Sequence, residues 1–117
     1  MKRIAAVVRP EKLEPLKEAL FEAKVSGMTI YQVHGCGNQH GWKEYFRGSE
    51  VFLNMIPKVK FEIIVEDGRV DEIVDLICNV ARTGEVGDGK IFVSDVTNVI
   101  RVRTGEEGID ALLYGEK

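Results

Sequence analysis

A glycine-rich segment from Thr83 to Val93 carries the clearest chemical pattern in this chain of 117 residues. Glycines lack a Cβ, so their backbone N–H groups can approach an anion closely, and successive N–H groups form a concave anion site. Lys90 adds a positive charge of the kind that binds phosphate. The glycines precede a strand and lack the spacing of a Walker loop. The pattern therefore fits either a phosphate site or a plain Gly-Asp-Gly turn.

Further candidate anion contacts lie in two other parts of the chain. A second glycine cluster, Gly35-Cys36-Gly37-Asn38-Gln39, follows a predicted strand, and Lys58 lies near the start of another. Arg101 and Arg103 alternate along a predicted short strand over 99–103, so both would point to the same face. Two guanidiniums on one face suit a polyphosphate, and a solvated strand face is the alternative interpretation.

The residue spacing does not support a metal or catalytic site. His34, Cys36 and His40 lie within seven residues, but their spacing matches no zinc pattern. Ser49 has no acid–base partner that the sequence can place. The two cysteines do not make a disulfide framework, and Cys78 lies on the apolar face of a helical pattern, as expected for a small core residue.

Length and composition predict one domain with a small core. Hydrophobic residues make up 44% of the chain, and a domain of this length buries only about two-thirds of its unfolded surface, so self-association would be a natural supplement. The net charge of −3 argues against a nucleic-acid partner. The apolar run Ile4–Val8 is too short for a signal peptide, and no stretch approaches about 18 apolar residues. We therefore expect a cytoplasmic protein without membrane insertion.

Hydrophobic periodicity predicts the elements that position these residues. Residues 59–66 alternate between apolar and polar side chains, and the apolar stripe from Val70 to Ala81 is typical of a helix. Pro15 is compatible with the first turn of a helix. The predicted elements are a strand over 2–9, a helix over 12–24, strands over 28–34 and 59–66, a helix over 70–81, strands over 90–94 and 99–103, and a last helical turn or two within 106–114.

The order of these elements predicts an α+β fold of the ferredoxin-like βαββαβ type. In this fold each half is a right-handed crossover whose helix covers one face of the sheet. The second and fourth strands are then the edges of the sheet. The uncovered face carries apolar side chains, which self-association would cover.

A long loop of about 24 residues, 35–58, separates the second and third strands. A hairpin connection needs only about two to five residues, and longer loops in compact domains are commonly functional. We interpret the loop as a partner-binding arm, with an extended hairpin packed on itself as the alternative. Its apolar and aromatic residues, which set it apart from a disordered linker, are Trp42, Tyr45, Phe46, Val51, Phe52, Leu53, Met55 and Ile56.

These motifs together resemble the P-II signal-transduction proteins, the nitrogen regulators of bacteria, archaea and plastids. The similarity runs over about residues 1–112. Thr83–Val93 fits the C-terminal signature of the family, and Arg101–Glu106 resembles its usual ending. The segments Pro57–Lys60 and Arg9–Leu13 also fit.

The resemblance implies a single P-II-like domain over 1–117 that forms a homotrimer and binds ATP or ADP in each cleft between neighbouring subunits. A loop at about 82–90 would hold the phosphates, with Lys90 as the charged contact, and a C-terminal loop at about 101–117 would reach them from the other side. The adenine end would be lined by Thr29, Glu62 and Ile64. The implied nucleotide-binding positions are Thr29, Gly35, Cys36, Gly37, Asn38, Gln39, Lys58, Glu62, Ile64, Gly87, Asp88, Gly89, Lys90, Arg101 and Arg103.

The resemblance also implies a second effector, 2-oxoglutarate, which joins ATP through a bridging Mg²⁺. Gln39 would be a ligand of the metal and a contact of 2-oxoglutarate, and Lys58 would pair with one of its carboxylates. The long loop, at about residues 37–55, would be the T-loop. In the family this loop rearranges on effector binding and enters partners such as an ammonium transporter.

The T-loop departs from the family pattern at several positions. Phe46 and Val51 stand where the family has tyrosines, and Val51 occupies the uridylylation position without a hydroxyl, so we expect no uridylylation. Ser49 matches a position that is phosphorylated in some relatives and is a candidate modification site. Asn38 replaces a frequent arginine, which leaves the preference between ATP and ADP open. The unusual T-loop residues Trp42, Phe46, Val51 and Phe52 indicate a partner that differs from the best-known ones.

We therefore expect a non-catalytic sensor in which nucleotide and 2-oxoglutarate select among T-loop conformers and so change partner affinity. It would control an ammonium transporter or nitrogen-assimilation enzymes or regulators, and a divergent partner such as nitrogenase is the alternative. An RNA-recognition domain would need exposed aromatic residues on its central strands, where the third strand offers Phe61 alone. A small nucleotide-using enzyme would need a base or nucleophile, and none is evident.

Overall fold

The computed structural model describes residues 1–25, 27–36, 42–46, 49–53 and 55–113. Short 3₁₀ turns at Pro10–Lys12 and Asp67–Arg69 lead into the two long helices. The helices and strands, in chain order, are β1 (Lys2–Val8), α1 (Leu13–Glu22), β2 (Met28–Gly35), β3 (Trp42–Phe46), β4 (Ser49–Leu53), β5 (Ile56–Val65), α2 (Val70–Ala81), β6 (Lys90–Asp95) and α3 (Ile109–Leu113).

Four of the strands form one antiparallel sheet in the order β2-β5-β1-β6. The central strand β1 pairs Ile4 with Ile63 of β5 on one side and with Val93 of β6 on the other. The strands β2 and β6 are therefore the edges. Together with α1 and α2, this order confirms the predicted α+β ferredoxin-like fold.

Alternation along β5 decides which face of the sheet the helices cover. Val59, Phe61, Ile63 and Val65 are buried, whereas the residues between them are half-buried. The buried side chains of β1 and β5 pack against α1 and α2, and Leu16 and Ile73 there are fully buried. Cys78, which we expected in the core, is half-buried at its margin. The complete buried cluster is Ile4, Ala6, Val8, Leu16, Leu20, Val25, Val59, Phe61, Ile63, Val65, Ile73, Ile77 and Ala81.

The opposite face of the sheet carries both apolar and charged side chains. Phe92 on β6 is 57% exposed there, opposite Ala5 of β1. Glu62 on β5 forms ion pairs with Arg3 at 3.3 Å and with Lys60 at 3.4 Å. The expectation of exposed apolar surface on this face holds at Phe92, and an ion-pair network shares the face with it.

The long loop after β2 contains a hairpin. Its strands β3 and β4 pair with each other in register from Trp42–Leu53 to Phe46–Ser49 and form a sheet of their own. Pairing of the loop with itself is the form that we gave as the alternative to a partner-binding arm. The two interpretations are compatible, because a hairpin with its own hydrogen bonds can also present side chains to a partner.

The short strand expected over 99–103 is not formed. Ile100 makes an isolated bridge with Glu107, and the chain turns at residues 102–104. Glycines with positive φ, Gly105 at 75° and Gly108 at 68°, fold the segment back on itself. The prediction that Arg101 and Arg103 share one face by strand alternation was therefore wrong.

Candidate functional site

The segment Thr83–Gly89, which we call the glycine-rich loop, connects α2 to β6 and is organised around one carboxylate. Asp88 accepts hydrogen bonds from the Thr83 N–H at 2.9 Å and the Gly84 N–H at 2.8 Å. The Thr83 hydroxyl and Arg9 Nε also donate to it, the latter at 3.1 Å. These donors, the Thr83 hydroxyl foremost, hold the pKa of Asp88 well below its usual range. The carboxylate is therefore charged at neutral pH. It organises the loop by accepting hydrogen bonds from Thr83 and Gly84.

Two glycines of the loop adopt a backbone conformation that L-residues rarely take, and at one of them a side chain would also clash with backbone. Gly87 and Gly89 have φ of +105° and +98°, in the region that favours glycine. A Cβ at Gly89 would lie 1.7 Å from the Val7 carbonyl oxygen, so the loop backbone rests directly on the end of β1. This close approach is a structural reason for a Gly-Asp-Gly sequence and is independent of any ligand.

Cationic side chains approach the loop from neighbouring strands. Lys58 Nζ donates to the Gly87 carbonyl, and Arg9 Nη2 donates to the Val86 carbonyl at 2.9 Å. Lys90 begins β6 at the end of the loop and is exposed. The sheet register explains this grouping, because the end of β1 and the starts of β5 and β6 meet at one end of the sheet.

The end of β2 lies at the same end of the sheet. Gly35 pairs with Ile56, and Val33 pairs with Lys58. A Cβ at Gly35 would lie 3.5 Å from Cγ of Lys58, an ordinary contact. Gly35 thus lies beside Lys58, and Cys36 directly follows it in the chain. The predicted contacts at Gly37, Asn38 and Gln39, with the candidate ligand His40, lie outside the described residues.

A second group of predicted residues lines a cavity of about 460 Å³ at the other end of β5. Thr29 pairs across the strands with Glu62, and Ile64 follows on the same face of β5. The volume is within the range of small-molecule sites. The wall is completed by Arg101 and by residues of the α1–β2 connection, the end of β5 and α3, namely Lys24, Val25, Gly27, Met28, Val65, Glu66, Arg69, Ala111 and Leu112.

Arg101 is held by its own C-terminal segment. Its Nη1 contacts the Glu106 carboxylate, and its Nη2 donates to the carbonyls of Asp110 at 2.9 Å and Ala111 at 2.7 Å. The guanidinium thereby holds α3 against the cavity. Arg103 lies in the turn that follows and is exposed.

The predicted nucleotide contacts therefore form two groups within one chain. Lys58 and the glycine-rich loop lie at one end of the sheet, and Glu62, Ile64 and Arg101 lie toward the other. At about 3.3 Å per residue, Lys58 and Ile64 are about 20 Å apart along β5. One chain does not bring the two groups together around a single nucleotide.

Sequence reasoning assigned no role to Arg9 or to the Thr83 hydroxyl, although both organise the loop. The signal for Thr83 was its position five residues before Asp88, which suits a closed polar turn. The contact of Arg9 depends on the pairing of β1 with β6, which no local pattern reveals. The described residues contain neither a cluster of three potential metal ligands nor a helix long and apolar enough to cross a membrane.

Comparison with known proteins gives consistent matches over nearly the whole chain. The family model described as "Nitrogen regulatory protein P-II" matches residues 1–106. Proteins of that name from Pasteurella multocida and Synechocystis sp. are each 48% identical over 112 residues, covering 96% of this chain and 100% of each relative. "Nitrogen regulatory protein P-II 1" of Escherichia coli is 52% identical over 107 residues, covering 92% of this chain and 96% of that protein.

Proposed function

The chain belongs to the nitrogen regulatory protein P-II family, and from this premise we propose that it binds ATP or ADP and 2-oxoglutarate and controls partner proteins through its T-loop. It is a P-II signalling protein, and its relatives are named as regulatory proteins and not as enzymes. The observation that carries the nucleotide proposal is the glycine-rich loop, whose backbone is shaped by Asp88 and flanked by Lys58 and Lys90.

Phosphate binding at the glycine-rich loop is favoured by its local chemistry. Gly87 and Gly89 have positive φ, and alternating backbone conformations of this kind turn N–H groups toward an anion. Asp88 already occupies the N–H groups of Thr83 and Gly84, so the phosphates would use the later part of the loop. Lys90 would supply the charge for the terminal phosphate oxygens.

A homotrimer is part of the proposal, because it would unite the two groups of contacts. The end of the sheet with Lys58 and the glycine-rich loop on one subunit would face the cavity with Thr29, Glu62 and Arg101 on its neighbour. Assembly through the open face would also cover the exposed Phe92. Sedimentation equilibrium tests this state. A mass three times the 13.1 kDa of the chain is expected, and a monomer at micromolar concentration would contradict it.

Mg²⁺ and 2-oxoglutarate would complete the site beside Lys58. Mg²⁺ is commonly held by a few protein oxygens together with nucleotide phosphates, so the amide oxygen of Gln39 suits it in chemical type. The ammonium of Lys58, which now donates to the Gly87 carbonyl, is the group that would pair with a carboxylate of 2-oxoglutarate. Binding of 2-oxoglutarate would then change the contact of Lys58 with the glycine-rich loop, so one lysine would couple the effector to that loop.

The T-loop would carry the signal to partners in the cytoplasm. Its hairpin, β3 and β4, is a separate sheet and is suited to present side chains beyond the body of the domain. An ammonium transporter is the proposed partner, with a divergent target such as nitrogenase as the alternative. Ser49 is a proposed modification site, and no uridylylation is expected at Val51. A pull-down from nitrogen-shifted extract, with and without ATP plus 2-oxoglutarate, tests partner control.

Titration calorimetry tests the coupled effector sites directly. We expect 2-oxoglutarate to bind measurably only when Mg-ATP is present, and Lys58→Ala and Gln39→Ala to weaken it about ten-fold or more. Lys17→Ala is the control, because Lys17 is paired with Glu14 on α1 and is remote from both groups. Equal, weak heats with and without Mg-ATP would refute the coupling. Unchanged affinity in both variants would refute the residue assignments.

A further inference from the structure

Arg9 follows β1 directly and contacts the glycine-rich loop at two points. Its Nε donates to the Asp88 carboxylate at 3.1 Å, and its Nη2 donates to the Val86 carbonyl at 2.9 Å. The side chain is only 25% exposed. Because the guanidinium is planar and its donors form a rigid fork, this contact fixes both distance and orientation. Arg9 therefore links the middle of the loop to the end of the central strand.

Asp88 connects Arg9 to the start of the loop through further hydrogen bonds. The carboxylate that receives Arg9 also accepts the N–H groups of Thr83 and Gly84 and the Thr83 hydroxyl. One side chain thus closes the segment from Thr83 to Asp88 into a ring. Within the part of the chain that the structure describes, the N–H groups of Gly87 and Gly89 have no acceptor, so the ring leaves them available to a ligand.

We propose that Arg9 is a positioning residue for the anion site: through Asp88 and Val86 it holds the loop in the shape in which the N–H groups of Gly87 and Gly89 can bind phosphate oxygens. The inference rests on the proposed function, because it takes the phosphates of ATP or ADP as the ligand of the loop. Two of the three guanidinium nitrogens are engaged by protein acceptors, and the adjacent carboxylate balances the charge. Recognition of the anion is thereby left to the loop N–H groups and Lys90.

A pair of substitutions with opposite effects on charge distinguishes positioning from direct attraction. Arg9→Gln removes a positive charge near the loop, whereas Asp88→Asn removes a negative one. If Arg9 attracted the phosphates directly, the first change would weaken ADP binding and the second would strengthen it. If Arg9 positions the loop through Asp88, both changes weaken ADP binding, each by about ten-fold, and the double variant loses less than the product of the two effects.

The experiment is calorimetric titration of ADP into the assembled protein, combined with amide hydrogen exchange on the nucleotide-free protein. In Arg9→Gln we expect faster exchange at Thr83 and Gly84 before any ADP is added, with unchanged exchange in the core of α2. Arg9→Lys retains the charge but not the fork, so we expect it to lie between the wild type and Arg9→Gln. Lys2→Gln is the matched control, because Lys2 ties β1 to Asp95 of β6 at the opposite end of the sheet.

Three results would overturn the inference. These are ADP affinity in Arg9→Gln that equals that of Lys2→Gln, tighter ADP binding in Asp88→Asn, and exchange that rises throughout the chain. Failure of the proposed function gives a different result, because the wild-type protein would then bind no ADP at all. In that case the exchange measurement still decides whether Arg9 holds the loop.

Discussion

The close approach of the glycine-rich loop to β1 predicts that Gly89→Ala destabilises the fold strongly. A Cβ at this position would lie 1.7 Å from the carbonyl oxygen and 2.8 Å from the carbonyl carbon of Val7. The obstacle is backbone, and it cannot swing away as a side chain would. Val7 belongs to a central strand that pairs with Lys60 on one side and Lys90 on the other. The loop must therefore move by about 1.3 Å to reach the closest separation that Cβ atoms tolerate.

The expected loss has two parts. A φ of +98° is unfavourable for alanine, which costs about 1–2 kcal/mol. Moving the loop also disrupts the hydrogen bonds where β6 begins, each of which contributes about 1 kcal/mol. We therefore expect Gly89→Ala to lower the free energy of unfolding by about 3–4 kcal/mol, against a total of about 5–15 kcal/mol for a domain.

Two other glycines separate these contributions. Gly84 has a φ of +90°, and a Cβ added there would have no atom within 4 Å, so Gly84→Ala should lose only about 1–2 kcal/mol. Gly68 has neither a positive φ nor a neighbour within 4 Å, so Gly68→Ala should change stability by less than about 1 kcal/mol, in the stabilising direction. The difference between Gly89→Ala and Gly84→Ala measures the cost of the contact with Val7.

Urea unfolding followed by circular dichroism, at one fixed protomer concentration, measures the three free energies. The concentration must be the same because any assembly adds to apparent stability. The reasoning is refuted if Gly89→Ala is no less stable than Gly84→Ala, since the loop would then move away from β1 without cost.

Three further predictions follow from the core, the C-terminal segment and the loop carboxylate. Ile73→Ala, which truncates a fully buried side chain, should lower the free energy of unfolding by about 2–5 kcal/mol in the same urea assay, and a loss below about 1 kcal/mol would contradict the packing. Glu106→Gln should tighten ADP binding severalfold in calorimetry, because it weakens the ion pair that occupies Arg101; unchanged affinity would mean that the pair does not compete with the ligand. Because the pKa of Asp88 is lowered in the folded state, its contribution to stability is present above the ordinary carboxyl range and is lost only as pH falls through the lowered pKa. The NMR shift of the Gly84 amide should accordingly stay constant from about pH 7 to about pH 4, and a titration centred near pH 4 would disprove the assignment.

The fold was predictable because its signals are local and repeated. Alternation over 59–66 identified the buried face of β5, and the apolar stripe from Val70 to Ala81 identified α2. Two such helices between strands leave few allowed topologies, since crossovers are right-handed. The edges β2 and β6 followed from that topology.

The C-terminal segment was not predictable from the same signals. Arg101 and Arg103 alternate with Ile100 and Val102 as in a strand, but hydrogen bonds within the turn prevail. The N–H of Gly105 donates to the Arg101 carbonyl at 2.8 Å, and the N–H of Arg101 donates to the Glu106 carbonyl at 2.9 Å. Strand formation depends on pairing partners, and here the backbone of the segment forms hydrogen bonds within the same segment and not with a neighbouring strand among the described residues.

The sequence identified the cations near the predicted anion contacts, but not which of them form ion pairs, because ion pairing depends on the folded structure. The cations near the predicted anion contacts are not equivalent. Arg9 is paired with Asp88 and Arg101 with Glu106, whereas Lys58 and Lys90 have no carboxylate within 4.0 Å among the residues that the structure describes.

Because some of these cations are paired with carboxylates and others are not, the cost of binding an anion differs between the two groups of contacts. Among the described residues Lys90 has no ion pair for a phosphate to break, and a phosphate that reaches Lys58 displaces a neutral carbonyl. A phosphate that reaches Arg101 must displace the Glu106 carboxylate and the carbonyls that hold α3. Replacing a charged acceptor costs more than replacing a neutral one. The affinity for the anion should therefore come first from the glycine-rich loop and its lysines, and engagement of Arg101 should be the step that rearranges the C-terminal segment.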